Sequence, residues 1–454
     1  MESQRLVQDQ ASHAKGQHAP AARDGFTTSL GVIAATLGSA VGLGNIWKFP
    51  YLTGSNGGAA FLVVYLVSTL LVGLPVMFSE LMLGRKAKAD AITTLQKLAP
   101  KKQPWWLVGA AGGLSAFLIL AFYTEVAGWV FAYVFKAILG GGLSTDPAVT
   151  SQAFTQMVAD PWQSLLWQWL VLVLISVIII LGVSKGIERT TKRLMPLLFG
   201  LLILVCVRSL TLPGATQGLV FLFRPDFTSL TAAAVLTAMG LAFFKLSIGM
   251  GTMITYGSYF RDDQNIPATA TRVMLADLSV SLLAGIAIFP AVFAFGFEPG
   301  AGPSLLFITI PAVFASMPLG HIFEVVFFIL TAIAATGAMI SLLEVPVAFL
   351  NERLHLSRLK ATLLTTALLV VIGSTAALSS STLSGVKIFG LSPFDLYDFV
   401  TSNVLLPLGG LFICLFVGWV WGYDQVAQAL SNEGQLQNQR LTRLFFGLVK
   451  FVTP

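Results

Sequence analysis

Long apolar segments separated by short polar ones run along most of this chain of 454 residues. A helix of about 20 apolar residues crosses the roughly 30 Å hydrocarbon layer of a membrane. Ten segments reach that length, so we expect an all-α polytopic membrane protein. They cover residues 29–51, 60–84, 105–139, 165–181, 194–210, 231–259, 268–297, 323–350, 361–378 and 394–421.

The remaining segments define the predicted domain limits. Residues 1–24 are polar and predict a disordered cytoplasmic tail without the apolar core of a signal peptide. Residues 25–430 contain the ten spans. The apolar run 441–454 is too short to cross a membrane, so we expect residues 431–454 to form an incomplete eleventh helix.

Composition and charge support a membrane protein with a defined orientation. The chain is 56% hydrophobic and 11% charged, with a mean hydropathy of +0.81. Lys and Arg concentrate in the loops after the second, fourth, eighth and tenth spans, whereas residues 140–161 contain neither. The basic loops and the amino terminus are therefore predicted to be cytoplasmic. The net charge of +6 reflects this bias, and we expect no nucleic-acid partner.

One charged residue, Lys245, lies in the middle of the sixth span. A lysine at the centre of a membrane helix costs roughly 2.5 to 3.5 kcal/mol, so it indicates a functional site with a nearby partner. The alternative is a lysine whose side chain reaches the membrane surface. At least nine apolar or small residues flank Lys245 on each side, which favours the first interpretation.

Glycines interrupt the first span within residues 37–50 and the sixth within 243–251, five spans apart. Paired discontinuous helices in two halves are typical of an inverted-repeat transporter with a substrate site at the membrane midplane. The alternative is that these glycines only permit close helix packing. The Asn and Lys inside the two interruptions favour a site.

The sequence GSAVGLGNIWKFPY at 38–51, followed by NGGAAF at 56–61, resembles the first-helix signature of the sodium:neurotransmitter symporter family, in its bacterial amino-acid branch. The resemblance extends from residue 26 to the tenth span. It implies a leucine-transporter-type 5+5 inverted repeat with discontinuous helices one and six. It also implies alternating access to a central site and a location in a bacterial inner membrane.

The resemblance carries specific roles to positions of this chain. Gly42 stands where monoamine carriers have an aspartate, so a monoamine substrate is not expected. Lys48 with Asp398 resembles the extracellular gate, and Arg23 with Glu352 the cytoplasmic one. The implied substrate-binding residues are Ala40, Leu43, Gly44, Ile119, Tyr123, Phe243, Phe244, Ser247, Met250, Ala338 and Leu342.

Both sodium sites of the family are altered at the matching positions. Lys245 replaces a hydroxyl of the first site, beside Ala40, Asn45 and Asp277. Gly337 and Ala338 replace two hydroxyls of the second site. A hard cation needs several oxygen ligands, so we expect neither site to hold sodium. An alignment displaced by one residue would bring in Thr336 and restore one ligand.

Two roles for Lys245 remain open at this stage. Burial favours the neutral form of an amine and a nearby carboxylate favours the charged form, so Lys245 could release a proton during transport. Alternatively, Lys245 and Asp277 form a permanent pair that holds spans six and seven together. Glu125 in the third span is a further candidate for proton relay, whereas Glu80 and Glu344 are expected to be structural.

The predicted function is sodium-independent, possibly proton-coupled transport of a small apolar solute. A neutral aliphatic or aromatic amino acid is the first candidate, and an aromatic metabolite such as indole is the second. The alternatives are a conventional sodium-coupled amino-acid symporter and a non-transporting sensor. We expect no enzyme activity, since the GVSKG sequence at 182–186 lacks the strand-turn-helix context of a nucleophile elbow. No cofactor, metal site or disulfide is expected.

Overall fold

Helices form the regular structure of the protein in a computed structural model that describes residues 24–140, 144–299 and 305–454. Within these ranges eight helices are long and apolar enough to cross a membrane, and a bent helix pair makes a ninth candidate. The predicted all-α polytopic fold is confirmed. The helices used below are α1 (Ser29–Ala40), α2 (Gly44–Ser55), α3 (Ala59–Ala87), α4 (Ala91–Leu98), α5 (Trp106–Ile138), α6 (Pro147–Ala159), α7 (Pro161–Ile180), α8 (Val183–Leu210), α9 (Ala215–Phe223), α10 (Ala232–Lys245), α11 (Thr252–Ser258), α12 (Ile266–Ala294), α13 (Thr309–Ala315), α14 (Gly320–Arg353), α15 (Arg358–Ser380), α16 (Pro393–Trp421), α17 (Tyr423–Leu430) and α18 (Gln439–Phe451).

Capping side chains fix where several spans begin. The side chains of Asp160, Asn265 and Ser357 each accept hydrogen bonds from backbone N–H groups in the first turn of the helix that follows. These N–H groups have no partner within their own helix, so a side-chain oxygen stabilises the helix start. The predicted span starts at 165, 268 and 361 therefore shift to α7, α12 and α15, each of which begins within four residues of the prediction.

The first and sixth predicted spans are interrupted, as the glycine pattern predicts. Helices α1 and α2 are bent by 47° across the break at residues 41–43. The sixth span is not a single helix, because α10 ends at Lys245 and α11 begins only at Thr252. The two breaks place irregular backbone in the protein interior, where such backbone is tolerated because it faces a cavity or buried partners.

The long helices pack around these two breaks. Helix α14 runs along α5 and also contacts α1, while α11 packs on α3. Helices α8 and α9 pack on α12, which contacts α1 in turn. Residues of α7 and α8 such as Leu166 and Ile203 expose apolar side chains, as expected of surfaces that face lipid. Helix α18, which packs against α16 and α3, spans 13 residues of the region predicted as an incomplete eleventh helix.

Candidate functional site

The first break is stabilised by side chains that bind its backbone. The N–H of Gly42 donates to Asn45 Oδ1 at 3.1 Å. The N–H of Leu43 donates to the Tyr123 hydroxyl at 2.7 Å. These groups would otherwise be buried without partners, which is costly. The break thus connects α1 and α2 to α5 through Tyr123.

The second break is an unwound segment that needs residues of unusual backbone conformation. Positive φ angles occur at Ser247, Gly249 and Gly251, at 53°, 76° and 73°. The Gly249 N–H donates to Glu80 Oε1 at 2.6 Å, and Ser247 Oγ donates to the Ser39 carbonyl at 2.8 Å. A Cβ at position 249 would lie 2.5 Å from the Leu406 carbonyl oxygen, so this site requires glycine both for φ and for space.

A small cavity of about 20 Å³ lies between the two breaks. It brings together all of the predicted substrate-binding residues except Leu43 and Phe243, and it adds Ser39, Gly42 and Lys245. Leu43 is buried at the first break, where its N–H binds Tyr123. Phe243 instead packs against Gly410 of α16. The cavity lining comprises Ser39, Ala40, Gly42, Gly44, Ile119, Tyr123, Phe244, Lys245, Ser247, Met250, Ala338 and Leu342.

The ammonium group of Lys245 lies in a cluster of oxygen acceptors beside this cavity. Lys245 is 1% exposed and Asp277 is fully buried. Lys245 Nζ lies 3.2 Å from Asp277 Oδ2, donates to the Tyr65 hydroxyl at 2.7 Å, and also donates to Ser281 Oγ. An ammonium has three hydrogens to donate, so these acceptors can satisfy all of them.

The carboxylate of this cluster is equally well bound. Asn45 Nδ2 donates to Asp277 Oδ1 at 2.6 Å and lies 3.1 Å from Ser281 Oγ. Lys245 is also the last residue of α10, where the negative end of a helix dipole favours a cation. The five residues Asn45, Tyr65, Lys245, Asp277 and Ser281, here called the Lys245 cluster, therefore form a hydrogen-bonded group whose two opposite charges balance.

Sequence reasoning paired Lys245 with Asp277 but missed Tyr65 and Ser281. Ser281 lies four residues after Asp277, one helical turn along α12, so the i, i+4 spacing could have indicated it. Tyr65 lies on α3, 180 positions before Lys245, and no local sequence pattern connects the two.

The predicted second ion position has a different structure, because backbone atoms approach each other there. A Cβ at Gly337 would lie 2.6 Å from the Gly38 carbonyl oxygen, so a side chain does not fit without movement of a helix. The hydroxyl of Thr336 donates to the Ala332 carbonyl within α14 at 2.8 Å. We call this close approach of α1 and α14 the Gly38–Gly337 contact.

A charged pair lies above the cavity at what we call the outer end, following the predicted orientation. Lys48 Nζ lies 2.8 Å from Asp398 Oδ1 and donates to Ser402 Oγ at 3.3 Å. The same ammonium lies 4.4 Å from the centre of the Phe244 ring, and Phe244 lines the cavity. The pair predicted as the extracellular gate therefore joins α2 to α16 directly above the site.

At the inner end the described residues form a second polar contact. Arg358 binds Glu344 through Nη2 and Oε2 at 2.6 Å, and the Tyr259 hydroxyl donates to Glu344 Oε1 at 2.6 Å. The Tyr259 carbonyl accepts from Phe26 N–H at 3.2 Å. Of the predicted cytoplasmic gate, Arg23 lies outside the described residues, and Glu352 Oε2 accepts from the Asp90 N–H at 2.8 Å. Sequence reasoning missed Arg358 and assigned Glu344 a structural role only.

The arrangement is a closed compartment between two polar contacts. The cavity has interrupted helices on two sides, a balanced charge cluster at its edge and a polar contact toward each membrane surface. A solute held between these contacts would be out of contact with water on either side and would need a change of conformation to leave.

Comparison with known proteins gives consistent similarities. A profile of the sodium:neurotransmitter symporter family matches residues 23–142 and 156–454. An uncharacterized sodium-dependent transporter of Bacillus subtilis, YhdH, is 39% identical over 429 residues, which cover 94% of this chain and 95% of that protein. The human sodium- and chloride-dependent taurine transporter is 26% identical over 470 residues, covering 91% of this chain and 74% of that protein. The crystal structure of MhsT in complex with L-phenylalanine superposes with a TM-score of 0.89 at 44% identity, covering 95% of this chain and 97% of that chain.

Proposed function

Because the chain belongs to the sodium:neurotransmitter symporter family, a family of transporters and not of enzymes, we propose that it carries a small neutral solute by alternating access without sodium. The predicted leucine-transporter-type fold with its 5+5 inverted repeat is confirmed by the similarity to MhsT. The family, the fold and the multi-pass membrane location are established by these similarities. Sodium independence and the identity of the solute are the parts that we propose.

The proposal rests on the ammonium of Lys245, which has oxygen acceptors on three side chains. By the family resemblance, Lys245 stands at a ligand position of the first sodium site. We infer that this attached ammonium takes the place of the sodium ion that other family members bind. It balances the charge of Asp277 and holds α10 against α12. The charge balance leaves no requirement for a second cation. The Gly38–Gly337 contact adds support, because it offers no side-chain oxygen at the second position.

We propose a neutral aliphatic or aromatic amino acid as the solute. The Tyr123 hydroxyl accepts from Leu43 N–H, so its own hydrogen is available to donate to a carboxylate. Ile119, Met250 and Leu342 supply apolar walls. The phenylalanine complex of MhsT supports an aromatic amino acid. Indole is the second candidate, because a charge-balanced Lys245 cluster does not need a substrate carboxylate.

The names of several relatives favour the alternative of a conventional sodium-coupled symporter, since the Bacillus subtilis protein is called sodium-dependent. The Lys245 cluster argues against transferring sodium dependence to this chain.

We also propose the predicted location, a bacterial plasma membrane with a cytoplasmic amino terminus. The sensor alternative predicts binding without flux.

The test is uptake into proteoliposomes that contain the purified protein and no sodium. Candidate solutes are first ranked by thermal shift among neutral amino acids, their decarboxylated relatives and indole. The best binder is then used as a radiolabelled solute. We expect saturable uptake that empty liposomes lack. Binding without uptake would favour a sensor, and uptake that appears only after sodium is added would contradict the proposal.

A further inference from the structure

Glu125 is a buried acid that takes no part in the Lys245 cluster. It lies on α5 two residues after Tyr123 and is 1% exposed. Its Oε2 has no hydrogen-bond partner in the described part of the chain, where Glu125 also forms no ion pair. By contrast, Asp277 is paired with Lys245 and Glu344 with Arg358. Glu125 is thus an uncompensated carboxyl group at the depth of the substrate cavity.

Aromatic side chains flank this position on the outer half of α5. Glu125 falls between Phe122 and Trp129 along the helix, and the rings of both lie against Phe394, with centroids 5.4 and 6.2 Å away. The Trp129 Nε1–H also has no acceptor among the described residues. Because Glu125 is 1% exposed, its carboxyl group has little contact with water in this closed conformation.

The helices packed on α5 bring no base to Glu125. Helix α7 has no titratable side chain in its sequence, and those of α15, Arg358 and Lys360, lie at its inner end. On α16, Asp398 is engaged by Lys48 and Asp395 is exposed. The other titratable residues on helices that contact α5 are Lys97 of α4, Tyr256 of α11, His321, Glu324, Glu344, Glu352 and Arg353 of α14, and Tyr397 and Cys414 of α16.

An ionised carboxylate without a partner is expensive in a dry interior, so this conformation favours the neutral carboxyl group. Lys245 is in the opposite situation, because its ammonium has acceptors for all its hydrogens and a carboxylate beside it. The closed state therefore favours a proton on Glu125, whereas the acceptors and the Asp277 carboxylate around Lys245 oppose the loss of its proton.

We propose that Glu125 is the proton-binding site that couples solute transport to a proton gradient. The proposal rests on the sodium-independent function above and names its coupling ion. A proton from water at the outer side forms the O–H bond of the Glu125 carboxyl group before closure. That bond breaks to water at the inner side once the carboxyl group is hydrated there. Glu125 shares α5 with Tyr123, which binds the first break, so movement of this helix affects both sites.

The experiment uses proteoliposomes with a more acidic exterior and radiolabelled L-phenylalanine as the probe, without sodium. The parent protein is expected to accumulate phenylalanine above the external concentration. Glu125→Gln, which mimics the neutral carboxyl group, is expected to lose accumulation and to keep the exchange of labelled for unlabelled phenylalanine. Glu324→Gln is the matched control, because Glu324 is also a buried acid with an unpartnered Oε2, and it should accumulate like the parent.

A second readout measures proton uptake on phenylalanine binding, with a pH-sensitive dye in weakly buffered detergent solution. The parent should take up protons and Glu125→Gln should take up none. Accumulation by Glu125→Gln equal to the parent would overturn the proposal. Loss of exchange in Glu125→Gln would also overturn it, because the carboxyl group would then be needed for binding or folding.

These outcomes separate this inference from the proposed function. A parent protein that transports phenylalanine without sodium and takes up no proton contradicts the role of Glu125 alone. A parent protein that transports it only with sodium contradicts the proposed function, and the proton role falls with it.

Discussion

Two regions of the same core, the Lys245 cluster and the Gly38–Gly337 contact, differ in how the chain fills a position that matches an ion site of its family. In the first region a side chain supplies a cation, and three neighbours bind the pair that it forms with Asp277. In the second region the helix backbones approach so closely that a Cβ does not fit. We propose that the first position has exchanged an ion for a covalently attached charge, and that the second has lost its side-chain ligands.

The difference leads to unequal consequences of mutation. Removing the ammonium leaves a buried carboxylate, whereas adding a side chain at Gly337 forces two helices apart. The first change is electrostatic and the second is steric.

Lys245→Ala should have the largest effect. Breaking a buried pair by removing one partner costs about 3 to 5 kcal/mol, because the remaining charge is uncompensated. We expect a clear loss of thermal stability in detergent and loss of transport. The double variant Lys245→Ala with Asp277→Asn should recover stability without recovering transport. If the double variant transported like the parent, Lys245 and Asp277 would be a structural pair only.

Lys245→Ser should convert the first position into an ion site. The serine hydroxyl would join the Asn45 amide oxygen, the Asp277 carboxylate and the Ala40 carbonyl, the oxygen ligands that a hard cation prefers. Sodium should then stabilise the variant, by about 2.7 kcal/mol at a concentration one hundred times its Kd. Thermal shift in sodium against potassium chloride measures this. Equal stability of the variant in both salts would show that Lys245 does not stand in for an ion.

Gly337→Ser should destabilise the protein without making it respond to sodium. The added Cβ would lie 2.6 Å from the Gly38 carbonyl oxygen, and overpacking of this kind costs about 1 to 3 kcal/mol. Gly200→Ser on α8 is the matched control, because a Cβ at Gly200 meets no atom within 4 Å. A stable Gly337→Ser variant with sodium-dependent binding would mean that the second position is still an ion site.

Lys48→Gln and Asp398→Asn should have the smallest effect on binding. Asp398 is 34% exposed at its side chain, and partly exposed ion pairs contribute only about 0 to 1 kcal/mol. The pair does not line the cavity, and we propose that it closes the outer end. Uptake should fall more than affinity, as measured by transport and equilibrium binding on the same preparation. Loss of binding in a folded variant would assign the pair to the substrate site.

The sequence predicted much of this architecture because its signals are local. Apolar length gives the spans, and glycine with a buried Lys245 marks the two breaks. Contacts between helices are harder to predict. Tyr65 reaches Lys245 only because α3 and α10 have a particular relative rotation, and Arg358 reaches Glu344 because the chain reverses between α14 and α15. The sequence indicated the missing hydroxyl at Gly337, but not that the Gly38 carbonyl fills the space.

Replacement of sodium by Lys245 is tested by the affinity of the parent protein for its best-binding solute, measured in sodium chloride and in potassium chloride at equal ionic strength. The Lys245 cluster and the Gly38–Gly337 contact together predict the same affinity in both salts, with Lys245→Ser as the variant that should respond to sodium. A steep increase in the affinity of the parent with sodium concentration would contradict the replacement of sodium by Lys245.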